Sequence, residues 1–512
     1  MKREINQLRA GVLLSYVNLA LGSLIPMLYT PVMLRILGQA EHGLYALAGS
    51  TVGYLSLLSF GFGSTIIRYI SKYRAEDDRE GIRRSFGFFL LLYCGLAVLV
   101  IAGGGLMTWY APGLFEGSLT ASELHTMRRL LPLLSWNLAL TFPYSVVNSV
   151  ILAHERFLYR RIMDILATII VPVLNLLMLY LGFASTGLAI SSLIAQFLLF
   201  LPNVVYCTRR LGLTPSFRRI PGSLIREMIG FSGFVFLASI VDLLFWGTDK
   251  VILGMLMGST AVSVYQIGGT FNSMVMQVSL SFSNVLAPKI TGMVVREASD
   301  SQLSELFIRI GRIQFLVVAL VVSGFAAFGR AFIDLWAGPG YQDAYWITVL
   351  TLFPLCIPLI QNTGLQILMA RNQHKFRALV YLLIAVLNVI STWLVVPYLG
   401  GIGAALCSGL SYLAGQGVAI NIYYDKVIRL DIPGFWKQIG KMSVIPLVMM
   451  VLTLLLQGAM RIEGWIGFFT AVAAYTAVYG AAMYCVCMNT YEKNLVRKPL
   501  SKLLRRLKQN WR

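Results

Sequence analysis

Asp242, Asp249 and Lys250 fall within SIVDLLFWGTDKVILG, residues 239–254, a run otherwise apolar enough to cross a lipid bilayer. A carboxylate at the middle of a membrane costs at least about 2.5 kcal/mol, so it implies water, a counter-ion or a bound proton nearby. The chemistry this suggests is ion coupling, in which a carboxylate takes up H⁺ or Na⁺ in one state and releases it in another. Asp242 and Asp249 are the candidates. For Asp242 a second reading stands, a protonated acid hydrogen-bonded to a neighbouring helix. Ser239, Asp242, Trp246 and Asp249 are spaced i, i+3, i+7 and i+10, which predicts one shared helical face. Asp249 and Lys250 are adjacent: either they form a local pair reaching for the membrane surface, or Lys250 faces a lumen and binds an anionic headgroup.

Two further cations carry the same pair of readings. Arg68 ends the run FGFGSTIIR and Arg35 ends the first apolar run. Each is a membrane-edge anchor or a contact for a phosphate at the mouth of a lumen. Polar side chains recur within the apolar runs: Asn18, the face carrying Ser273, Gln277 and Asn284, and the pair Asn362 and Gln366. Helix–helix hydrogen bonding is the default for such residues; taken together they also suit a hydrophilic lumen wide enough for sugars. The four His and six Cys show no metal-ligand spacing, so no cofactor is expected beyond H⁺ or Na⁺ as a coupling ion.

The elements that must hold these residues are membrane helices. Of 512 residues, 57% are hydrophobic and 12% charged, and apolar runs recur from end to end. Each run spans about 18 to 25 residues, enough for roughly 30 Å of hydrocarbon, and about fourteen are predicted. The expected fold is an all-α polytopic membrane protein. The N-terminal stretch is basic then apolar without a small-residue cleavage site, so it reads as a first transmembrane helix. The net charge of +20 collects in alternate loops and at the two ends. That pattern predicts both termini in the cytoplasm and attraction to anionic lipid, not a nucleic-acid groove. The tail LVRKPLSKLLRRLKQNWR aligns leucines on one helical face and cations on the other, the mark of an interfacial helix or of a docking site for partner enzymes. No phosphate-cradling glycine loop, paired carboxylates or Ser/His/Asp set is present, so neither an ATP-driven pump nor an enzyme is expected.

The chain also looks duplicated. Gly38-x6-Tyr45 returns as Gly258-x6-Tyr265, AHERF (153–157) as NQHKF (372–376), VLN (173–175) as VLN (386–388), and YLG (180–182) as YLG (398–400), each about 220 residues on. WYAPGLF (109–115) and LWAGPGY (335–341) match more loosely. Repeats with an even number of helices keep one orientation in the membrane. The expected organisation is an N-lobe of six helices (1–210), a C-lobe of six (211–425), two further helices (426–488) and the basic tail (489–512).

The run PVMLRILGQAEHGLYALAGSTVGYLSLLSFGFGSTIIRYISKY and its counterpart TDKVILGMLMGSTAVSVYQIG resemble bacterial polysaccharide-export proteins, the Wzx-type flippases of the multidrug/oligosaccharidyl-lipid/polysaccharide exporter superfamily. The resemblance covers essentially the whole chain. It implies two six-helix lobes in a V shape and alternating access. It also implies transport of an undecaprenyl-pyrophosphate-linked oligosaccharide across the bacterial plasma membrane, coupled to a cation gradient. Cavity cations would then meet the pyrophosphate. Arg and Lys are few deep in the first lobe, unlike in lipid II flippases, and the predicted tenth helix lacks the acid common in drug antiporters. The expected partners are membrane lipid, a polyprenyl-diphosphate-linked glycan and glycan-assembly enzymes, with a functional monomer and no nucleic acid. A cationic-drug antiporter of the same fold is the alternative, ahead of a membrane glycosyltransferase or a non-transporting scaffold.

Overall fold

Glycines at matching points of the duplication set the helix breaks. The computed structural model describes residues 2–217, 233, 236–237, 239–371, 373, 375–456, 464–495 and 497. Among them, α1 (Lys2–Leu37) stops at Gly38, which has φ +79° and ψ 167°, and α2 (Gln39–Gly53) follows at once. In the second copy, α9 (Thr248–Met257) stops at Gly258, with φ +85° and ψ −176°, and α10 (Ser259–Val295) follows. Only glycine adopts that conformation without strain, so the repeated glycine dictates the same sharp break twice. Gly182 and Gly400, which end the two YLG copies, likewise share positive φ, +82° and +55°. Of the four motif matches, one therefore shares its backbone geometry and a second shares the sign of φ.

Helix is the only regular secondary structure among the described residues, without a strand. Among the described residues, eleven helices are long and apolar enough to cross a membrane. One of these spans, Phe376–Lys426, is 51 residues long and bends at Gly400, so it contains both of the runs predicted at 378–398 and 403–424. The first part of the predicted seventh span and most of the basic tail lie outside the described residues, as does the side chain of Asn284.

Two compact units make up the chain: residues 1–266 with 385–404, and residues 267–384 with 405–512. In the first unit, α3 (Phe62–Ala75), α4 (Arg79–Phe115) and α5 (Ala121–Ala153) share a core. Ile66, Phe89, Val146 and Val150 are fully buried in it. Side-chain caps fix where α4 and α5 start. Asp78 accepts from the Gly81 amide at 2.8 Å ahead of α4, and Thr120 forms a reciprocal capping box with Glu123 ahead of α5. α6 (Phe157–Tyr180) and α7 (Ala184–Val205) complete the bundle, with α6 lying along α1. Pro26 and Pro31 lie inside α1 and each deletes the amide that would bond the carbonyl four residues back. The predicted seventh helix appears as helical residues 239–246, here α8, a turn at Gly247, and α9.

In the second unit, α11 (Asp300–Trp336) is the central helix, packed by α12 (Asp343–Ile360), α13 (Asn362–Ala370), α16 (Ile432–Leu456) and α17 (Gly464–Ala482). Its charged contact is buried. The Arg312 guanidinium donates from Nε to Glu492 Oε1 at 2.6 Å and from Nη2 to Oε2 at 2.8 Å. It also donates to the Cys487 carbonyl and to Gln438 Oε1. Glu492 in turn accepts from the Asn489 amide at 2.9 Å, while its own amide donates to Asn489 Oδ1. The segment following α17 is thus pinned to α11 through one bidentate pair.

Candidate functional site

Helical geometry turns part of α8 and α9 toward a cavity of about 650 Å³ within the first unit. Ser239, Asp242, Trp246 and Lys250 line it from this side. His42, Tyr45, Ser50 and Gly53 of α2 form another wall, and Met33 of α1 a third. Asp242 is exposed there, whereas Lys250 and Trp246 are half-buried. The cavity therefore offers one carboxylate, one ammonium group, an indole and a phenol.

Asp249 departs from the expected stripe. The turn at Gly247 falls between Trp246 and Asp249, so helical register does not carry the stripe across it. Past the turn, Lys250 lines the cavity and Asp249 does not. Asp249 is fully buried. Its Oδ2 accepts from the Tyr265 hydroxyl at 2.5 Å, and its Oδ1 accepts from Thr392 Oγ1 at 3.4 Å. One residue earlier, the Tyr54 and Thr248 hydroxyls lie 2.8 Å apart, tying the start of α9 to the end of α2.

The repeated Gly-x6-Tyr motif positions the opposite wall. Tyr45 lies 3.3 Å from the Ser192 hydroxyl, and its counterpart Tyr265 holds Asp249. His42 is buried, and its Nδ1 is 2.8 Å from Ser263 Oγ, so the two copies of the motif meet directly. Gly43 permits this approach, because a Cβ there would collide with the Ser259 carbonyl. His42 and Tyr45 were not singled out as site residues from sequence. The motif that contains them was the available signal, but it was read only as a mark of duplication.

The remaining candidates are dispersed. Arg35 and Arg68 are exposed and do not line the cavity. Asn18, on α1, accepts from the Thr168 hydroxyl of α6 at 3.4 Å. In the second unit, Ser273 and Gln277 are exposed and Gln366 is half-buried. Asn362 donates to Ser279 Oγ at 3.1 Å. Among the described residues, no three His, Cys, Asp or Glu converge as a metal site would require.

Residues 8–294 match the family described as Polysaccharide biosynthesis protein. No curated protein sequence matches the chain. Among solved structures, the lipid II flippase MurJ in an inward closed conformation has a similar fold. Its TM-score is 0.72 at 14% identity, over 93% of this chain and 98% of that one. An inward-facing multidrug resistance MATE family transporter of the MOP superfamily gives 0.62 at 15% identity, over 82% and 99%. A MOP superfamily transporter from Pyrococcus furiosus, described as having a binding pocket of reverse polarity, gives 0.56 at 15% identity, over 80% and 94%. The helix content and these likenesses together describe a multi-pass membrane protein of the MOP fold.

Proposed function

Because the chain belongs to the polysaccharide biosynthesis protein family, we propose that it is a flippase that carries an undecaprenyl-pyrophosphate-linked oligosaccharide across the bacterial plasma membrane by alternating access. It performs transport without catalysis, with both termini in the cytoplasm. The observation that carries this reading is the cavity in which Lys250 stands with Asp242 and Trp246. A cation held on a membrane helix is costly and marks a functional path. An ammonium group suits the pyrophosphate, and an indole stacks against a sugar ring. The volume of about 650 Å³ falls in the usual range of ligand sites.

Coupling to a cation gradient is assigned to Asp242, which faces the cavity, with Asp249 as the buried second acid. Transport requires that the ion bind one state better than the other, and neutralising a cavity carboxylate supplies such a difference. A cationic-drug antiporter would have to accept Lys250 in its binding site, where like charges repel.

The test is translocation of a lipid-linked glycan into proteoliposomes holding the purified chain, with and without a pH or Na⁺ gradient. Wild type is expected to translocate, and Lys250→Met to translocate poorly. Efflux of a cationic dye without glycan movement would replace this reading with drug antiport, and sugar transfer by the purified protein would make it an enzyme.

A further inference from the structure

The end of α10 and the start of α11 enclose a second pocket, within the second unit and separate from the cavity described above. Its volume is about 370 Å³, and its lining includes Lys289, Met293 and Arg296 from the α10 side with Gln302, Glu305 and Arg309 from α11. Lys289, Met293 and Arg296 are spaced i, i+4, i+7, and so are Gln302, Glu305 and Arg309 at i, i+3, i+7; each set forms one helical face. Three cations therefore stand against one carboxylate. Glu305 is already engaged by Arg309 in an ion pair, and the Arg309 guanidinium also lies 5.0 Å from the Tyr491 ring centre. Lys289 and Arg296 are exposed, and neither has an ion-pair partner among the described residues. Glu297, at the turn, does not line the pocket. Beside Arg296 stands Val295, 77% exposed.

We propose that this pocket binds the phosphate headgroup of an anionic membrane lipid, with an acyl chain lying against the exposed Val295 side chain at the end of α10. The proposal does not depend on the transported substrate. A phosphodiester needs one or two cations at a membrane edge with an apolar strip alongside, and basic pockets between helices on the cytoplasmic side are where such headgroups lodge. The unmatched cations Lys289 and Arg296 are the two available. The N-terminus of α11, fixed by the Ser299–Gln302 capping box, adds its partial positive charge at the same end. A soluble anion would gain the same cations without using the exposed Val295, so the lipid is the occupant that uses both.

The experiment uses the full chain in phosphatidylcholine nanodiscs and measures retention of labelled phosphatidylglycerol. Lys289→Ala/Arg296→Ala is expected to weaken retention by about 25-fold, roughly fivefold for each cation removed at an anionic surface. Lys437→Ala/Lys441→Ala, an equal loss of charge on exposed lysines of α16, is expected to leave retention nearly unchanged. Glu305→Gln, which removes the competing carboxylate, is expected to strengthen it. Equal losses in the two double variants, or no loss at Lys289 and Arg296, would overturn the site. Displacement by inorganic phosphate as effective as by phosphatidylglycerol, or preferential capture of a polyprenyl diphosphate, would overturn the assignment to membrane lipid.

Discussion

Replacing Glu492 by Ala leaves the Arg312 guanidinium inside the second unit with its principal acceptor gone. The pair is among the best buried in the chain, with side-chain exposures of 10% for Arg312 and 1% for Glu492. Two parallel hydrogen bonds at 2.6 and 2.8 Å are lost together. The Cys487 carbonyl and Gln438 remain, at 3.0 and 3.3 Å, but neither carries a negative charge. Stranding one member of a buried pair costs about 3–5 kcal/mol, because desolvation of the surviving charge is no longer offset. The same reasoning separates this from the intrinsic worth of the pair: an apolar double replacement such as Arg312→Met/Glu492→Leu removes both charges and is expected within about 1–2 kcal/mol of wild type, or above it. Unfolding in mixed micelles, followed for wild type, Arg312→Met, Glu492→Leu and the double, closes a thermodynamic cycle. The expected coupling energy is about 3 kcal/mol or more. Single variants that each lose under about 1 kcal/mol and simply add would refute the claim that the charges are desolvated and mutually dependent.

Further outcomes follow from the first unit. Lys250→Met should weaken glycan translocation by roughly 10- to 100-fold, the worth of a charge-assisted contact, with Lys250→Arg retaining most of it in the same proteoliposome assay. Asp242→Asn should leave protein level normal and abolish the dependence of transport on the ion gradient; export as gradient-dependent as in wild type would remove Asp242 from the coupling role. Gly43→Ala should destabilise by about 1–3 kcal/mol through collision with the Ser259 backbone. Gly49→Ala, on the same helix but facing open space, should be neutral or mildly stabilising, as thermal midpoints in detergent would show. His154, in the loop after α5, has its imidazole pKa held below the ordinary 6.5, chiefly by burial and then by nearby Arg74 and Arg156, against the Val150 hydrogen bond. The fold therefore binds fewer protons there than the unfolded chain, so stability should fall as pH drops below about 6.5 and level off beneath the folded pKa. His154→Gln should flatten that slope in denaturation midpoints measured across the range.

The breaks in the chain were legible because glycine at positive φ leaves a sequence signature. Gly38 and Gly258 could be paired on spacing alone, and they share a conformation. The stripe Ser239, Asp242 and Trp246 was equally legible, since helical period alone groups it. Its continuation was not: the turn at Gly247 breaks the register between Trp246 and Asp249, and past it Lys250, not Asp249, lines the cavity. The polar positions of α10 show a deeper difficulty. Ser273 and Gln277 are exposed, while Asn272 and Ser279 are the buried ones, donating to Thr351 Oγ1 at 2.6 Å and the Leu359 carbonyl at 2.8 Å. In a membrane helix apolar side chains face both lipid and neighbouring helices, so the pattern does not tell which polar face is turned inward. The Arg312–Glu492 contact joins residues 180 positions apart and leaves no local signal at all.

The two prolines of α1 bear on how the wall containing Met33 behaves. A regular helix resists curvature because bending stretches a continuous file of backbone bonds. At Pro26 and Pro31 two registers of that file do not exist, little more than one turn apart. The segment above them can lean in or out with no rupture at those registers, and Met33 travels with it. Like the α8–α9 wall with its turn at Gly247, this wall has a backbone that is already articulated.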